Sequence, residues 1–224
     1  MCDALLEPED AGVRRVHVLC EKSLKRTGEH VCVHCGRPVL FTSEYCYDCS
    51  KKNLAQSFSQ GKALFLYQGT MKDVMYRFKY GNRREYALFF AKEAMRRYGD
   101  WIHRAGIEAI VPVPMYQKKQ KLRGYNQAEC FARALSDASG IPLDRNLVKR
   151  VKDTQPLKEL NDLQRKNNLK TAFHSEKNIV QYKRVLLVDD IYTTGTTADA
   201  VAEALQCAGV KNVFFLAVCI GKGM

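Results

Sequence analysis

The stretch RVLLVDDIYTTGTTADAV, which runs from Arg184 to Val201, constrains the fold of this chain more than any other. Its first part is a continuous run of β-branched residues and leucine, typical of a central strand in a parallel sheet that is covered on both faces. Other apolar runs, IEAIVPVP and NVFFLAVCI, alternate with segments whose apolar residues repeat at helical spacing. This alternation predicts an α/β fold, with a parallel sheet flanked by helices.

Two adjacent acids, Asp189 and Asp190, end the first of these strands, and ligands of open α/β sheets collect at such carboxyl ends. The hydroxyl-rich loop that follows opens a predicted helix, whose free N–H groups favour an anion such as phosphate. Carboxylates only accept hydrogen bonds, so the acids would face the hydroxyl groups of a sugar. The stretch therefore predicts a ribose 5-phosphate site. The loop residues are Thr193, Thr194, Gly195, Thr196 and Thr197.

Four cysteines nearer the amino terminus form two CxxC pairs, Cys32 with Cys35 and Cys46 with Cys49. Such pairs, separated by enough residues for a short hairpin, predict a tetrahedral, all-cysteine structural zinc site. Disulfide pairing is the alternative interpretation, and His30 and His34 are close enough to be alternative ligands. The roles of Cys2 and Cys20 are not predicted.

The predicted domain division follows from these two features. Residues 1–61 form an amino-terminal zinc segment, and residues 62–224 form the α/β domain. Ser57, Ser59 and Gly61 mark the joint, and KALFLY (Lys62 to Tyr67) reads as the first strand of the larger domain.

The net charge of +12 is concentrated in the middle of the chain, where residues 62–184 carry 26 basic and 12 acidic residues. Such a surplus attracts the phosphates of a small molecule or of a nucleic acid, although it is also compatible with a simply solvated surface. One predicted helix has an apolar stripe of Met71, Val74, Met75 and Phe78 and another face with Lys72, Tyr76, Lys79 and Arg83. That second face is either the solvated side or a surface that tracks a nucleic-acid backbone.

The longest apolar run, Val213 to Ile220, is too short to cross a bilayer, and no export signal is recognised. We therefore expect no membrane span and a cytoplasmic location, where cysteines serve as metal ligands or are buried.

A hydrophobic strand, paired acids and a Thr-Gly-Thr-Thr loop resemble the phosphoribosyl pyrophosphate signature of type I phosphoribosyltransferases. Further segments narrow the resemblance to the ComF family of competence proteins, in which a zinc ribbon precedes a phosphoribosyltransferase-like domain. These segments are VPVPMYQKKQKLRGYNQAECFARAL, the Arg150-to-Gln155 segment RVKDTQ, and Arg165 before Asn168. The resemblance implies a role in natural transformation, where single-stranded DNA enters the cytoplasm.

The same resemblance assigns roles to individual residues. Asp189 and Asp190 would hold the ribose hydroxyls, and Thr193 to Thr197 the 5-phosphate. The turn at Val113 and Pro114 would receive pyrophosphate, and Arg123 would move over it as part of a mobile basic loop. If the site is catalytic, Mg²⁺ would accompany phosphoribosyl pyrophosphate and stabilise the leaving group.

Two functional hypotheses follow. The first is a protein that binds phosphoribosyl pyrophosphate, including an active phosphoribosyltransferase that transfers ribose 5-phosphate to an unidentified nitrogen acceptor. The second is a component of DNA uptake that handles single-stranded DNA, with the zinc segment docking a helicase-like competence protein. The two hypotheses do not exclude each other, and the sequence shows no pocket for a particular acceptor base.

Overall fold

The computed structural model describes residues 17–51, 57–151, 172–175 and 181–221, and every structural statement below concerns these ranges. Helices and strands alternate through them, as the sequence predicts. The helices in these ranges are α1 (Val18–Ser23), α2 (Tyr47–Lys51), α3 (Thr70–Tyr80), α4 (Tyr86–Arg104), α5 (Gln117–Arg123), α6 (Gln127–Ser139) and α7 (Thr196–Cys207).

The main sheet has four strands, all parallel, in the order β1-β6-β5-β2. A short antiparallel pair, β3 with β4, lies apart from this sheet. The prediction of an α/β fold with a parallel sheet flanked by helices is therefore confirmed. The strands are β1 (Gln60–Leu66), β2 (Ala109–Pro112), β3 (Lys149–Arg150), β4 (Phe173–His174), β5 (Arg184–Tyr192) and β6 (Asn212–Ile220).

Strand β5 is central because its apolar residues are buried on both faces of the sheet. Leu186 and Val188 belong to the core on one face, together with residues of α3, α4 and α6. Val185 and Leu187 belong to the core on the other face, together with residues of α7 and the CxxC pairs. Successive side chains of a strand point to opposite faces, so a continuous apolar run requires a layer on each side.

Three boundaries differ from the sequence prediction. The acidic pair is predicted to end its strand, but β5 continues past Asp190 to Tyr192. Strand β2 ends at Pro112, two residues before Pro114, and β1 begins at Gln60. The predicted polar loop after Pro114 instead contains α5. Its Gln, Lys, Leu and Arg residues all have high helix propensity, and Gly124, with φ of 80°, ends the helix in a left-handed conformation.

Several features named above lie outside the described residues. They include Cys2, most of the RVKDTQ segment, Arg165 and Asn168. Cys20 is half-buried and packs against the core. Among the helices of the described ranges, none combines the length and the apolar composition needed to cross a membrane.

The segment with the CxxC pairs, which we call the ribbon (residues 30–51), packs directly against the sheet. The carbonyl of His34 accepts a hydrogen bond of 2.5 Å from the backbone N–H of Gly61, at the start of β1. Gly36 has a φ of 76°, and a Cβ atom there would lie 2.9 Å from both the Gly61 oxygen and Lys62 Cα. The close approach of two backbones thus requires glycine at position 36. The predicted division at residue 61 falls within this contact and stays a prediction.

Substituting Gly36 tests this contact. Because Gly36→Ala combines an unfavourable φ with a backbone clash, we expect it to lower the free energy of unfolding by about 1–3 kcal/mol. Urea unfolding of the zinc-loaded protein measures the change. Gly28→Ala is the matched control, since a Cβ there has no heavy atom within 4 Å, and it should change stability by less than about 0.5 kcal/mol. If Gly36→Ala and Gly28→Ala had equal free energies of unfolding, the close contact between the ribbon and β1 would not require glycine at position 36.

Candidate functional site

The four cysteines of the two CxxC pairs converge on one point. Their sulfur atoms all lie within 4.8 Å of one another, and Cys35 Sγ is 3.6 Å from Cys46 Sγ. All four side chains are buried. Hydrogen bonding by Cys35, and by the other two thiols, lowers the pKa of the Cys32 thiol, which favours its thiolate form.

This geometry fits a zinc ion. Four thiolates at the Zn–S distance of about 2.3 Å form a tetrahedron whose sulfur atoms are about 3.8 Å apart, close to the separation of Cys35 and Cys46. Cys32, Cys35, Cys46 and Cys49 would hold the metal, whose bonds would stabilise a segment too small to fold by burial alone. In the described ranges the metal-ligating group contains neither His30 nor His34. The His34 ring instead stacks on Phe58, with centroids 4.4 Å apart.

The acidic pair lies at the carboxyl end of β5. The carboxylate of Asp189 accepts a hydrogen bond of 2.8 Å from the backbone N–H of Asp190. Burial, and then the charge of Asp190, raises the pKa of Asp189 well above its ordinary value. Asp190 forms an ion pair with Lys79, whose Nζ lies 3.0 Å from Asp190 Oδ2. A carboxyl whose pKa is raised by burial and by a neighbouring charge, near a strand end, is typical of a functional site.

The phosphate loop, residues 193–197, joins β5 to α7. Gly195 has a φ of 79° and precedes the first residue of α7, Thr196. The hydroxyl groups of Thr194 and Thr196 are 2.7 Å apart. Thr193 and Thr194 are exposed, whereas Gly195 is buried. The loop therefore combines threonine hydroxyls with the free N–H groups of a helix start, an arrangement suited to an anion.

The turn after β2 lies beside the acidic pair. Its residue Val113 donates a backbone hydrogen bond of 2.9 Å to the carbonyl of Val188, which directly precedes Asp189. The side chain of Asn126 donates to the Val113 carbonyl at 3.0 Å and accepts from the Ala128 N–H at 3.1 Å. Asn126 is thus the N-cap of α6, and it ties this helix to the turn that contains Val113 and Pro114.

Arg123, which the resemblance places over pyrophosphate, ends α5 and contacts α3. It donates to the Tyr80 hydroxyl at 3.0 Å and to Gln127 Oε1 at 3.4 Å, and its guanidinium lies 5.0 Å from the centre of the Tyr80 ring. The buried Gln127 donates in turn to the carbonyl of Lys79 at 3.4 Å. The end of α3 therefore connects Arg123 with the acidic pair.

Lys79 contacts the candidate site, although the sequence does not predict this contact. In the sequence it is one member of a basic helix face and carries no separate signal. The fold brings the end of α3 to the end of β5, and Lys79 thereby becomes the ion-pair partner of Asp190. A single lysine one helical turn after Tyr76 gives no indication of that contact, because it depends on how α3 packs on the sheet.

Comparison with known proteins identifies the family. The chain is 34% identical over 203 residues to Competence protein F of Haemophilus influenzae, and the match covers 87% of this chain and 85% of the relative. The chain belongs to the ComF family of competence proteins.

A second relative, the DNA utilization protein YhgH of Escherichia coli, is 27% identical over 197 residues, which cover 87% of this chain and 86% of the relative. The phosphoribosyl transferase domain model matches residues 125–223. Adenine phosphoribosyltransferase of Saccharomyces cerevisiae is similar at 18% identity with a TM-score of 0.40, over 77% of this chain and 88% of that structure. The resemblance to a ComF protein with a phosphoribosyltransferase domain is thus confirmed.

The raised pKa of Asp189 predicts how this ComF-family protein responds to pH. A carboxyl whose folded-state pKa exceeds its unfolded value destabilises the folded state when ionised, so stability is lost as pH rises from about 4 through the folded pKa. Asp189→Asn keeps an acceptor for the Asp190 N–H and removes the charge. We expect the variant to melt at a higher temperature than wild type at pH 7. Its melting temperature should also lack the decrease with rising pH that ionisation of Asp189 causes in wild type.

Melting temperatures of wild type and variant between pH 5 and pH 8 measure the effect. Asp137→Asn is the matched control, because it removes one negative charge from an exposed position on α6. The prediction is wrong if Asp189→Asn and Asp137→Asn change the melting temperature alike across this range.

Proposed function

We propose that this ComF-family protein binds phosphoribosyl pyrophosphate, together with Mg²⁺, and acts in competence, where it handles imported single-stranded DNA. The names of the relatives support the competence role, since they are a competence protein and a DNA utilization protein. The match to the phosphoribosyl transferase domain model supports a phosphoribosyl ligand.

The observation that carries the proposal is the acidic pair beside the phosphate loop. Asp189 and Asp190 lie near the carboxyl end of β5, which continues to Tyr192, and the loop that starts at Thr193 leads directly into α7. A ribose 5-phosphate would place its phosphate on the N–H and hydroxyl groups of the loop and its sugar hydroxyls on the carboxylates. The backbone turn at Val113, hydrogen-bonded next to Asp189, would receive the pyrophosphate.

Lys79 and Arg123 would neutralise the charge of the bound ligand. In the free protein, Lys79 pairs with Asp190 and reduces the repulsion between the acidic pair and an incoming phosphate. Arg123 lies on the Tyr80 ring, at the junction of α3, α5 and α6. Mg²⁺, when bound with the ligand, would supply further positive charge to the pyrophosphate.

The alternative is an active phosphoribosyltransferase. In that reaction a nitrogen atom of the acceptor forms a bond to the anomeric carbon, the bond from that carbon to oxygen breaks, and pyrophosphate leaves with the electron pair. A cleft of about 440 Å³ between the ribbon and the ends of β1 and β6 favours this alternative. Tyr45, Tyr47, Leu66 and Gly221 are among its lining residues, and the volume is sufficient for a planar base.

Calorimetric titration of phosphoribosyl pyrophosphate with Mg²⁺ tests the proposed site. We expect saturable binding to wild type and at least about 100-fold weaker binding to Asp189→Asn/Asp190→Asn, because each lost hydrogen bond to a charged group costs about 1.5–3 kcal/mol. Asp100→Asn/Asp137→Asn is the control for net charge, since both positions are exposed on helices, and it should bind like wild type. Absence of binding to folded, zinc-loaded wild type would exclude the ligand.

The outer face of α3 supports the nucleic-acid part of the proposal. Tyr76 and Tyr80 are 66% and 58% exposed, and their ring centroids are 5.2 Å apart. Arg123 lies against Tyr80, and Lys72 is exposed on the same helix. Exposed tyrosines beside basic residues are suited to stacking with the bases of a single strand while the cations contact its phosphates.

Binding of a fluorescent oligothymidylate tests this surface. We expect Tyr76→Ala/Tyr80→Ala to weaken binding by at least about tenfold, since base stacking contributes about 1–3 kcal/mol per base. Tyr47→Ala is the control, because it removes a tyrosine that is 56% exposed on the ribbon. Wild-type affinity should also fall steeply between 50 and 200 mM salt. Equal affinities of the two tyrosine variants would exclude α3 as the DNA-binding face.

A further inference from the structure

Arg37 connects the ribbon to the phosphate loop. It follows Cys35 and Gly36 in the chain, and the residue is only 5% exposed. One nitrogen of its guanidinium, Nη1, forms an ion pair with the carboxylate of Asp48. The other, Nη2, donates a hydrogen bond to the backbone carbonyl of Thr193. A single buried side chain therefore bridges two segments that are 156 residues apart in sequence.

Contacts with both CxxC knuckles of the ribbon fix the position of the Arg37 guanidinium. The carbonyl of Arg37 accepts a hydrogen bond of 2.6 Å from the N–H of Cys32, within the first CxxC knuckle. Asp48 lies between Cys46 and Cys49, in α2, within the second knuckle. A metal that holds the two knuckles together would hold Arg37 and Asp48 at their present separation.

The contact with Thr193 fixes the direction of a peptide group in the phosphate loop. The described backbone contains no cis peptide bond, and in a trans peptide the C=O and the following N–H point in opposite directions. When Arg37 holds the Thr193 carbonyl, the N–H of Thr194 must therefore point away from the ribbon. The orientation of loop N–H groups is what an anion site depends on.

A set of aromatic contacts also connects the ribbon with the phosphate loop. The His34 ring stacks on Phe58, whose ring centre is 6.3 Å from that of Tyr192. The Tyr192 ring also lies 5.9 Å from the Arg37 guanidinium. Its hydroxyl lies so close to Gly195 that a Cβ at this position would overlap it. The loop is thus supported at both Thr193 and Gly195 by contacts that begin in the ribbon.

We propose that Arg37 is a positioning residue through which the ribbon holds the phosphate loop in its anion-binding conformation. The inference rests on the proposed function, because it assumes that residues 193–197 bind the phosphate of a phosphoribosyl ligand. Arg37 itself does not contact the ligand; it acts through the Thr193 peptide. The ribbon then has a role in ligand binding in addition to stabilising the fold.

The test uses Arg37→Lys and Asp48→Asn in the full-length protein. Lysine keeps the charge but cannot reach both acceptors with a planar fork, and Asp48→Asn removes the charge that orients the guanidinium. Arg26→Lys is the matched control, since Arg26 is half-buried and pairs with the buried Glu93 of α4 at 2.5 Å. Zinc content is measured for every variant by mass spectrometry.

Two readouts are then compared at equal zinc content. We expect Arg37→Lys and Asp48→Asn to speed hydrogen exchange of the amides in residues 193–197 by at least tenfold and to weaken binding of phosphoribosyl pyrophosphate with Mg²⁺ by a similar factor. Arg26→Lys should change neither. Unchanged exchange in both ribbon variants would overturn the inference. Failure of wild type to bind the ligand would overturn the proposed function, whereas the exchange measurement would still decide whether Arg37 orders the loop.

Discussion

The pairing of β5 between β6 and β2 is the constraint on which the candidate site depends. Parallel pairing aligns the carboxyl ends of the three strands, and the register places Asp189 beside Ala217 of β6 and Val188 beside Pro112 of β2. The acidic pair, the phosphate loop and the turn at Val113 meet only because these strands end at the same edge. Burial of β5 on both faces fixes that register, since a shift by one residue would exchange the residues of the two cores.

The ribbon is part of the same packing arrangement, although it precedes the sheet in sequence. The four cysteines belong to the core cluster that also contains Phe58, Ala63 and residues of α7. Gly36 permits the ribbon backbone to contact the start of β1. A small metal module that buries its cysteines against a larger core gains apolar contacts that it lacks alone. At the opposite, carboxyl edge of the sheet, the ribbon contacts Thr193 through Arg37.

Local patterns were sufficient to predict the α/β fold and the convergence of the four cysteines. Continuous apolar runs specify buried strands, and the spacing of two CxxC pairs specifies a common ligand point. The contacts of Lys79 and Arg37 were not predictable in this way, because each joins segments distant in sequence. Helix α5 was missed for a different reason: its basic residues were interpreted by charge, whereas their helix propensity and Gly124 determine the local structure.

The acidic pair suits only one of the two ligands of the proposed function, because its carboxylates need free hydroxyl groups as hydrogen-bond donors. Within a DNA strand the deoxyribose lacks a 2′-hydroxyl and its 3′-oxygen is esterified, so it offers no free hydroxyl donor to Asp189 or Asp190. A phosphoribosyl ligand offers both hydroxyls together with a phosphate. Within the proposed function, the strand ends therefore suit the phosphoribosyl ligand, and the tyrosine face of α3 is the proposed site for DNA. Lys79 on the same helix pairs with Asp190, and so a ligand that displaces this ion pair would act on the helix that presents Tyr76 and Tyr80.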